Sequence, residues 1–164
     1  MYNERNPDDF LLPTTRLFMK NVLILFCLAI IGSTTPLAAQ EISDIQGVEK
    51  AVNYYLEGGT KGDAEMVAKA FHPQAELKFM TDDGYTELPI DQFLERIKPS
   101  PEGATRLTSI RYIQIAGGVA SACVEILYPN RHFKFIDFFN LLKVEGEWKI
   151  VNKIFHREEL GTKG

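Results

Sequence analysis

The first half of the chain carries apolar residues at the spacing of amphipathic helices. Between Ser43 and Glu57 they recur every three or four positions, which predicts a helix with Ser43 as its N-cap and Gly58-Gly59 as its end. A second, shorter helix is predicted over Ala64–Phe71. The spacing of apolar residues across Ile90–Ile97 predicts a third. Each helix is expected to bury one apolar face against another layer of structure.

The remainder of the chain alternates apolar and polar residues with the period of β-strands. A strand is predicted at Ala75–Met80 and a short one at Tyr85–Leu88. Four further strands are predicted at Arg106–Ile115, Val119–Tyr128, His132–Val144 and Glu147–His156. Their connections are short, which predicts an antiparallel meander. Helices followed by a meander predict an α+β fold, with three N-terminal helices packed on a curved, mostly antiparallel sheet.

The composition is that of one globular domain with a hydrophobic core. Of the 164 residues, 45% are hydrophobic and 24% are charged, and the formal net charge is −4. No cluster of lysine and arginine stands out, so a nucleic-acid partner is not expected. The three histidines lack the spacing of metal ligands, and no phosphate-loop or dinucleotide-binding pattern occurs. We therefore expect neither a metal nor a cofactor.

Residues 19–39 have the three parts of a secretory signal peptide. A short basic region is followed by an apolar run of about ten residues at Val22–Ile31 and by small residues before the predicted cleavage site. The alternative, a membrane anchor, would need about 20 apolar residues. We expect secretion or export to the periplasm, one mature domain at residues 40–164 and no membrane attachment after cleavage. Residues 1–18 are interpreted as an extension from a wrongly assigned start.

Asp137 is the most informative single position, because it lies among phenylalanines in a predicted strand. A buried carboxylate without a partner is costly, so it must be hydrogen-bonded, neutralised or used. Apolar surroundings favour its protonated form, which donates a hydrogen bond. We expect Asp137 to line a pocket within hydrogen-bonding reach of Tyr55, which lies on the apolar face of the first helix. The alternatives are an edge carboxylate paired with Lys153 or Arg111, and a Tyr55 that is only part of the core.

The last predicted strand has two faces of different character. Trp148, Asn152 and His156 share the face that is expected to meet the core. Lys153 lies on the opposite face, and a β-bulge would exchange the two faces beyond it. His156 is the last residue of this strand and His72 directly follows the second helix, so both are candidates for the mouth of the pocket.

Three segments resemble the nuclear transport factor 2-like superfamily. They are GDAEMVAKAFHPQAEL at 62–77, IDFF at 136–139 and GEWKIVNKIFH at 146–156, and the first helix with Tyr55 precedes them. The last two look most like its lumazine-binding branch, close to the SnoaL-like proteins. The resemblance implies a cone-shaped α+β fold, in which a curved sheet wraps around three helices and an open pocket.

The same superfamily contains ketosteroid isomerase, whose oxyanion hole combines a tyrosine with a protonated aspartate. The resemblance places Tyr55 and Asp137 at those two positions, while the general base of that enzyme falls at Phe79 or Lys78. A donor pair without a base polarises a carbonyl but removes no proton, so we expect binding without turnover. The candidate ligand-binding residues are Tyr55, His72, Phe79, Asp137, Phe139, Trp148, Asn152 and His156.

The leading hypothesis is a secreted domain that binds a small apolar or aromatic ligand in the pocket, without established catalysis. The first alternative is a cofactor-independent isomerase, dehydratase or cyclase, whose base would be Lys78, His72, Asp82 or Asp83. The second alternative is a dimeric interaction module of the cell envelope. The strand at 133–142 is apolar on both faces. We therefore expect a second copy to cover the outer face of the sheet in a homodimer.

Overall fold

The computed structural model describes residues 37–99 and 105–161. Its α-helices are α1 (Leu37–Lys61), α2 (Ala64–Ala70) and α3 (Ile90–Leu94). Its strands are β1 (Phe71–Thr81), β2 (Gly84–Pro89), β3 (Leu107–Ala116), β4 (Val119–Tyr128), β5 (Phe133–Val144) and β6 (Glu147–Glu159). A single 3₁₀ turn at Pro129–Arg131 joins β4 to β5. No helix within these ranges combines the length and apolar character that crossing a bilayer requires.

The predicted N-terminal segments fall almost entirely outside the described residues. The extension at 1–18 and residues 19–36 of the signal peptide lie there. Leu37, Ala38 and Ala39, which precede the predicted cleavage site, belong to α1. Residues Glu41–Gly164 form one compact unit, which contains all the described strands.

The sheet has six strands in the order β2-β1-β6-β5-β4-β3. Strands β3 to β6 form the predicted antiparallel meander. Strand β1 pairs with β2 antiparallel and with β6 in parallel. The sheet is curved and unclosed, and the helices pack against it, which confirms the predicted α+β class. Because β5 and β6 are neighbours inside this order, side chains from both can meet α1.

Helix α1 is longer than predicted at both ends. It begins at Leu37, so Ser43 lies inside the helix and is not its N-cap. It also continues through Gly58-Gly59. A Cβ at Gly58 would lie 2.7 Å from Cγ2 of Val67 on α2. Glycine at this position therefore allows the two helices to approach closely. The helix ends before Gly62, whose φ of +67° suits glycine at a helix terminus.

Helices α2 and α3 are shorter than predicted. Phe71 already has an extended backbone and is the first residue of β1, so α2 ends at Ala70. After α3, the N–H groups of Arg96 and Ile97 bond to carbonyl groups three residues earlier. Such bonds tighten the chain into turns that keep roughly the same apolar spacing as an α-helix. The apolar pattern over 90–97 therefore predicted the inward-facing positions correctly, but the helix that it predicted was too long.

The core lies between α1 and the inner face of the sheet. Helix α1 contributes Val48, Val52 and Leu56 at the predicted spacing. The strands contribute mainly Leu77, Val124, Ile126, Phe139, Leu141 and Ile150. Burying each such side chain is worth about 1.5–3 kcal/mol, so this contact determines where α1 crosses the sheet. Tyr55, on the same helix face, is thereby held over β5 and β6.

A β-bulge in β6 decides which of its side chains face the core. Ile150 and Asn152 pair with consecutive residues of β5, so Val151 is the extra residue. Before the bulge Ile150 is buried, and after it Lys153 is buried instead. His156 is exposed on the opposite side. The prediction that Asn152 and His156 meet the core is therefore wrong, because the bulge exchanges the two faces.

Candidate ligand-binding pocket

A cavity of about 510 Å³ lies between the helices and the inner face of the sheet. Six aromatic side chains line it: Tyr55, Phe79, Phe93, Tyr128, Phe135 and Phe155. Five cationic side chains also line it: Arg96, Lys98, Arg106, Arg131 and Lys153. The size and the mainly apolar walls are typical of sites for small molecules.

Three buried polar side chains meet at the wall of the cavity. The hydroxyl of Tyr55 on α1 donates to Oδ2 of Asp137 on β5 over 2.6 Å. Nζ of Lys153 on β6 donates to the Tyr55 oxygen over 2.6 Å and lies 2.8 Å from the same Asp137 Oδ2. Tyr55 and Lys153 line the cavity, whereas Asp137 is fully buried behind them. Asp137 therefore accepts hydrogen bonds, in place of the donor role expected from its apolar surroundings.

Asp137 forms an ion pair with Lys153, as in the alternative interpretation of the sequence. This pair does not lie at an edge of the sheet, as that alternative assumed. Strand β5 is an inner strand of the sheet, and the side chains of Lys153 and Asp137 are 6% and 0% exposed. Oδ1 of Asp137 has no hydrogen-bond partner among the described residues. Since a buried charge without a counter-charge is strongly destabilising, Lys153 is what makes this carboxylate tolerable.

Burial shifts the proton equilibria of both network members that line the cavity. It raises the pKa of Tyr55 well above the ordinary 10.0, and the charge of Asp137 raises it further. It lowers the pKa of Lys153 from the ordinary 10.5, although Asp137 acts in the opposite direction. Nζ of Lys153 also lies 4.7, 5.4 and 4.9 Å from the ring centroids of Tyr55, Phe93 and Phe155. These rings stabilise its positive charge through cation–π contacts.

The hydrogen-bonding capacity of the network leaves one donor for a bound molecule. Tyr55 has a single O–H, which is directed to Asp137. Lys153 has three N–H groups, and Tyr55 and Asp137 accept two of them. The third can donate to a carbonyl oxygen or a ring nitrogen in the cavity. Within this network the N–H group left without an acceptor is therefore on Lys153, whereas the expected donors were Tyr55 and Asp137.

Residues 43–156 match the protein family described as "Putative lumazine-binding". The match covers most of the chain and includes all three members of the buried network. The chain belongs to this family, within the nuclear transport factor 2-like (NTF2-like) superfamily. The resemblance found in three sequence segments is thereby confirmed.

Other NTF2-like proteins resemble this one along most of their length. A protein of unknown function from Shewanella baltica is 32% identical, with a TM-score of 0.64 over 77% of this chain and 98% of that one. One from Methylobacillus flagellatus, also of unknown function, is 34% identical, with a TM-score of 0.63 over 71% and 94%. Aldolase FrzH from Cladobotryum sp. is 25% identical over 114 residues, which are 70% of this chain and 91% of that protein.

Four of the eight expected ligand-binding residues of this NTF2-like protein line the cavity or lie directly behind its wall. Tyr55 and Phe79 line the cavity. Asp137 lies behind Tyr55, and Phe139 packs there too, with its ring centroid 5.2 Å from that of Tyr55. Phe139 is buried and does not reach the cavity surface. The fold thus brings together residues of α1, β1 and β5 that are far apart in the sequence.

Trp148 and His72 lie away from this cavity. Trp148 lines a different cavity, where its Nε1 donates to Oδ1 of Asp44 over 3.2 Å. It belongs to the part of β6 before the bulge, which packs against the first turns of α1 within the compact unit. His72, at the start of β1, accepts a hydrogen bond at Nδ1 from the N–H of Gln74 over 3.1 Å. Each of the two side chains thus has a hydrogen-bond partner outside this cavity.

Asn152 and His156 point away from the cavity because of the bulge in β6. Asn152 donates to the carbonyl of Glu76 on β1 over 3.3 Å, and His156 is exposed. Lys153 and Phe155 line the cavity in their place. The sequence had placed Lys153 only as a partner for Asp137. Lys153 lies two residues before the apolar Phe155, so the two side chains share one face of the strand. The bulge turns this face towards the cavity.

The residues considered as general bases do not line the cavity. Lys78 lies on the outer side of the sheet, 3.1 Å from Glu87, whereas its neighbour Phe79 takes the cavity-facing position. Asp82 and Asp83 lie exposed in the turn between β1 and β2. No group of three or more histidine, cysteine, aspartate or glutamate side chains in the described ranges is arranged to hold a metal. The position of the isomerase base is thus filled by a phenylalanine.

Proposed function

We propose that this NTF2-like protein binds a small, flat, largely apolar molecule in the aromatic cavity. The observation that carries the proposal is a cavity of about 510 Å³ that has six aromatic side chains in its walls and a free N–H of Lys153 among its donors. Small-molecule sites usually combine apolar walls with a few well-placed polar groups. The lumazine-binding description of the family supports a ligand of this class.

The aromatic walls contribute affinity for such a ligand, and the N–H donor of Lys153 determines its orientation. Aromatic contacts in stacked or edge-to-face geometry each contribute about 0.5–1.5 kcal/mol beyond the area that they bury. Lys153 determines orientation, because only an oxygen or nitrogen acceptor of the ligand satisfies its third N–H. Asp137 and Tyr55 hold the ammonium in place before the ligand arrives. This preorganisation lowers the entropy that binding would otherwise cost.

Calorimetric titration with lumazine, a flat bicyclic dione, tests the proposal. We expect binding by the wild-type protein and an affinity lower by about threefold to tenfold in Phe155→Ala, which loses an aromatic wall. Trp148→Phe is the matched control, because Trp148 lines the separate cavity beside Asp44. This variant should bind lumazine with the affinity of the wild type. Failure of lumazine and of related flat heterocycles to bind at millimolar concentration would contradict the proposal. Equal affinity in Phe155→Ala would contradict the cavity as the site.

An enzyme acting on a carbonyl compound is the second candidate, and the position of Lys153 favours it. A buried amine with a lowered pKa is suited to attack a carbonyl carbon. In that step the neutral amine adds to the carbon, one water leaves and one proton is taken up, which gives an iminium. The relative that is named an aldolase supports carbonyl chemistry of this general kind. The isomerase, dehydratase and cyclase alternatives belong to the same candidate.

Reductive trapping distinguishes this candidate from simple binding. Benzaldehyde with cyanoborohydride should convert an iminium at Lys153 into a stable secondary amine, which peptide mass mapping locates. Lys149 is the internal control, because it lies on the same strand and is held by Glu147 at 3.0 Å. Lys153→Arg should keep the positive charge and lose the label. Labelling spread over exposed lysines, with Lys153 unmodified, would exclude the enzyme candidate.

Export is part of the proposal, and the pattern at residues 19–39 supports it. The exported protein is expected to begin at Gln40. Intact-mass analysis of the secreted or periplasmic fraction should therefore find a chain without residues 1–39. Full-length chain confined to the cytoplasm would contradict export.

A further inference from the structure

The cavity carries more positive charge than the carboxylate behind it can balance. Five of the described residues that line it are cationic and none is acidic. Asp137 lies 2.8 Å from Nζ of Lys153, and this pair is balanced. The chain as a whole has a formal net charge of −4, so the excess of cations is specific to the cavity. Cavities lined by one sign of charge attract ligands of the opposite sign.

Arg106 is the cavity cation that is partly removed from solvent and has no counter-charge among the described residues. Arg96, Lys98 and Arg131 are exposed, whereas Arg106 is half-buried. None of the ion pairs among the described residues includes Arg106, and its Nε is buried without a hydrogen-bond partner there. A guanidinium stays charged in proteins, and a buried charge without a partner is unfavourable. An anion beside Arg106 would remove that cost.

Two contacts hold the Arg106 guanidinium at the cavity. Its Cζ lies 5.4 Å from the ring centroid of Tyr128, another lining residue. It also packs on α1 at Gly59, where a Cβ would come within 2.4 Å of Nη1. Glycine at this position therefore leaves the space that the guanidinium occupies. Arg106 and Lys153 line the same cavity, and the charge of Arg106 also lowers the pKa of Lys153.

We infer that the cavity binds a flat aromatic molecule with one anionic group, a carboxylate or an equally acidic function, which pairs with Arg106. The inference rests on the proposed binding function and adds the charge of the ligand to it. Arg106 rather than Lys153 receives the anion, because Asp137 already neutralises Lys153. The aromatic walls enclose the ring, and the third N–H of Lys153 binds a second acceptor. Guanidinium and carboxylate match in geometry, since both are planar and can form two parallel hydrogen bonds.

A matched pair of probes tests the charge of the ligand. The probes are 2-naphthoate and its neutral amide, 2-naphthamide, which have the same ring and differ in charge. Calorimetry of the full chain should show naphthoate binding tighter by about tenfold or more, as expected for one charge-assisted hydrogen bond. The naphthoate affinity should also fall as salt is added, and the amide affinity should not.

Substitutions then locate the charge preference at Arg106. Arg106→Met should abolish the preference, so that the ratio of the naphthoate to the naphthamide affinity falls to about one. Arg111→Met is the matched control, because Arg111 is exposed and pairs with Glu125, and it should keep the preference. If Arg106→Met does not fold, Gly59→Ala serves instead, since its methyl group displaces the guanidinium and should reduce the preference.

The outcomes separate the inference from the function on which it rests. Equal binding of both probes by the wild type would overturn the inference and leave the proposed function standing. A preference that survives both Arg106→Met and Gly59→Ala would overturn the assignment to Arg106. Absence of binding by both probes would overturn the proposed function, and the inference with it.

Discussion

At the scale of single residues, Lys153 and Asp137 stabilise the fold only as a pair. Lys153→Met leaves a fully buried carboxylate without its counter-charge, so the free energy of unfolding should fall by about 3–5 kcal/mol. Asp137→Leu should cost a similar amount, because it leaves the ammonium unpaired. The double variant should cost much less than the sum of the two, since it removes both charges. Urea unfolding of the four proteins measures these differences.

Lys61→Met is the control for this cycle. The ion pair of Lys61 with Glu57 is largely exposed, with the two side chains 56% and 60% accessible. The variant should therefore change the free energy of unfolding by at most about 0.5 kcal/mol.

Asp137→Asn offers a milder change, because the amide keeps the size and still offers an oxygen to the Tyr55 hydroxyl. Additive effects of Lys153→Met and Asp137→Leu would show that the two side chains do not act as a pair.

Tyr55 should make stability depend on alkaline pH. Burial holds the pKa of Tyr55 well above 10.0 in the folded protein, whereas the unfolded chain loses this proton near the ordinary value. Above about pH 10 the folded state therefore binds more protons than the unfolded state, so its stability falls as pH rises. Tyr55→Phe has no such proton. The stability gap between the wild type and Tyr55→Phe should narrow between about pH 9 and pH 11 in urea unfolding. A gap that stays constant over this range would contradict the raised pKa.

At the scale of secondary structure elements, alternation in the sequence predicts the strands but not the bulge. Strand β4 has the predicted bounds, Val119–Tyr128, because a strand inside a meander keeps a regular period of two. The extra residue Val151 leaves no mark on composition, since valine between Ile150 and Asn152 is an ordinary strand residue. The sequence therefore allowed the prediction that Tyr55 and Phe79 line the cavity. It did not allow the same prediction for Lys153, because the direction of that side chain depends on the bulge.

The glycines in α1 also show that local sequence patterns cannot predict contacts between distant segments. Gly58-Gly59 has the composition of a helix end, and the helix passes through it because packing outweighs helix propensity. The space at Gly58 is taken by α2, and the space at Gly59 by Arg106. Both contacts join segments that are distant in the sequence, so local patterns could not indicate them. The place of Arg106 at the cavity was missed for this reason.

Gly58→Ala tests the contact between α1 and α2. In an exposed helix this change would stabilise by about 1 kcal/mol. Here the added methyl group would lie 2.7 Å from Cγ2 and 2.8 Å from the backbone nitrogen of Val67. We expect a loss of about 1–3 kcal/mol in urea unfolding, as for other overpacked positions. Gly118→Ala, where no atom lies within 4 Å, should change stability by no more than about 0.5 kcal/mol. A stabilised Gly58→Ala would contradict the close approach.

At the scale of the whole molecule, an apolar stripe crosses the outer face of the sheet. In adjacent strands Tyr112 pairs with Cys123, Cys123 with Phe138, and Phe138 with Ile154. Tyr112, Phe138 and Ile154 are 46%, 39% and 48% exposed. Contiguous apolar surface of this kind is what homodimer interfaces cover. We therefore expect the protein to form a homodimer through this face.

Light scattering on the mature protein measures the assembly. The wild type should have the mass of a dimer, and Phe138→Lys should have that of a monomer, because it places a charge in the middle of the stripe. Ile42→Lys is the matched control, since Ile42 is 59% exposed on α1, and it should remain dimeric. A wild-type monomer at high micromolar concentration would contradict the homodimer.

Ligand binding in the aromatic cavity is tested most directly by an NMR titration of labelled protein with lumazine. The expected result is a concentration-dependent shift of the signals of Tyr55, Phe93 and Lys153, which line the cavity. The signals of Trp148 in the other cavity and of Phe138 on the outer face should not move. Shifts confined to Trp148 or Phe138, or no shift at millimolar lumazine, would contradict the proposed site.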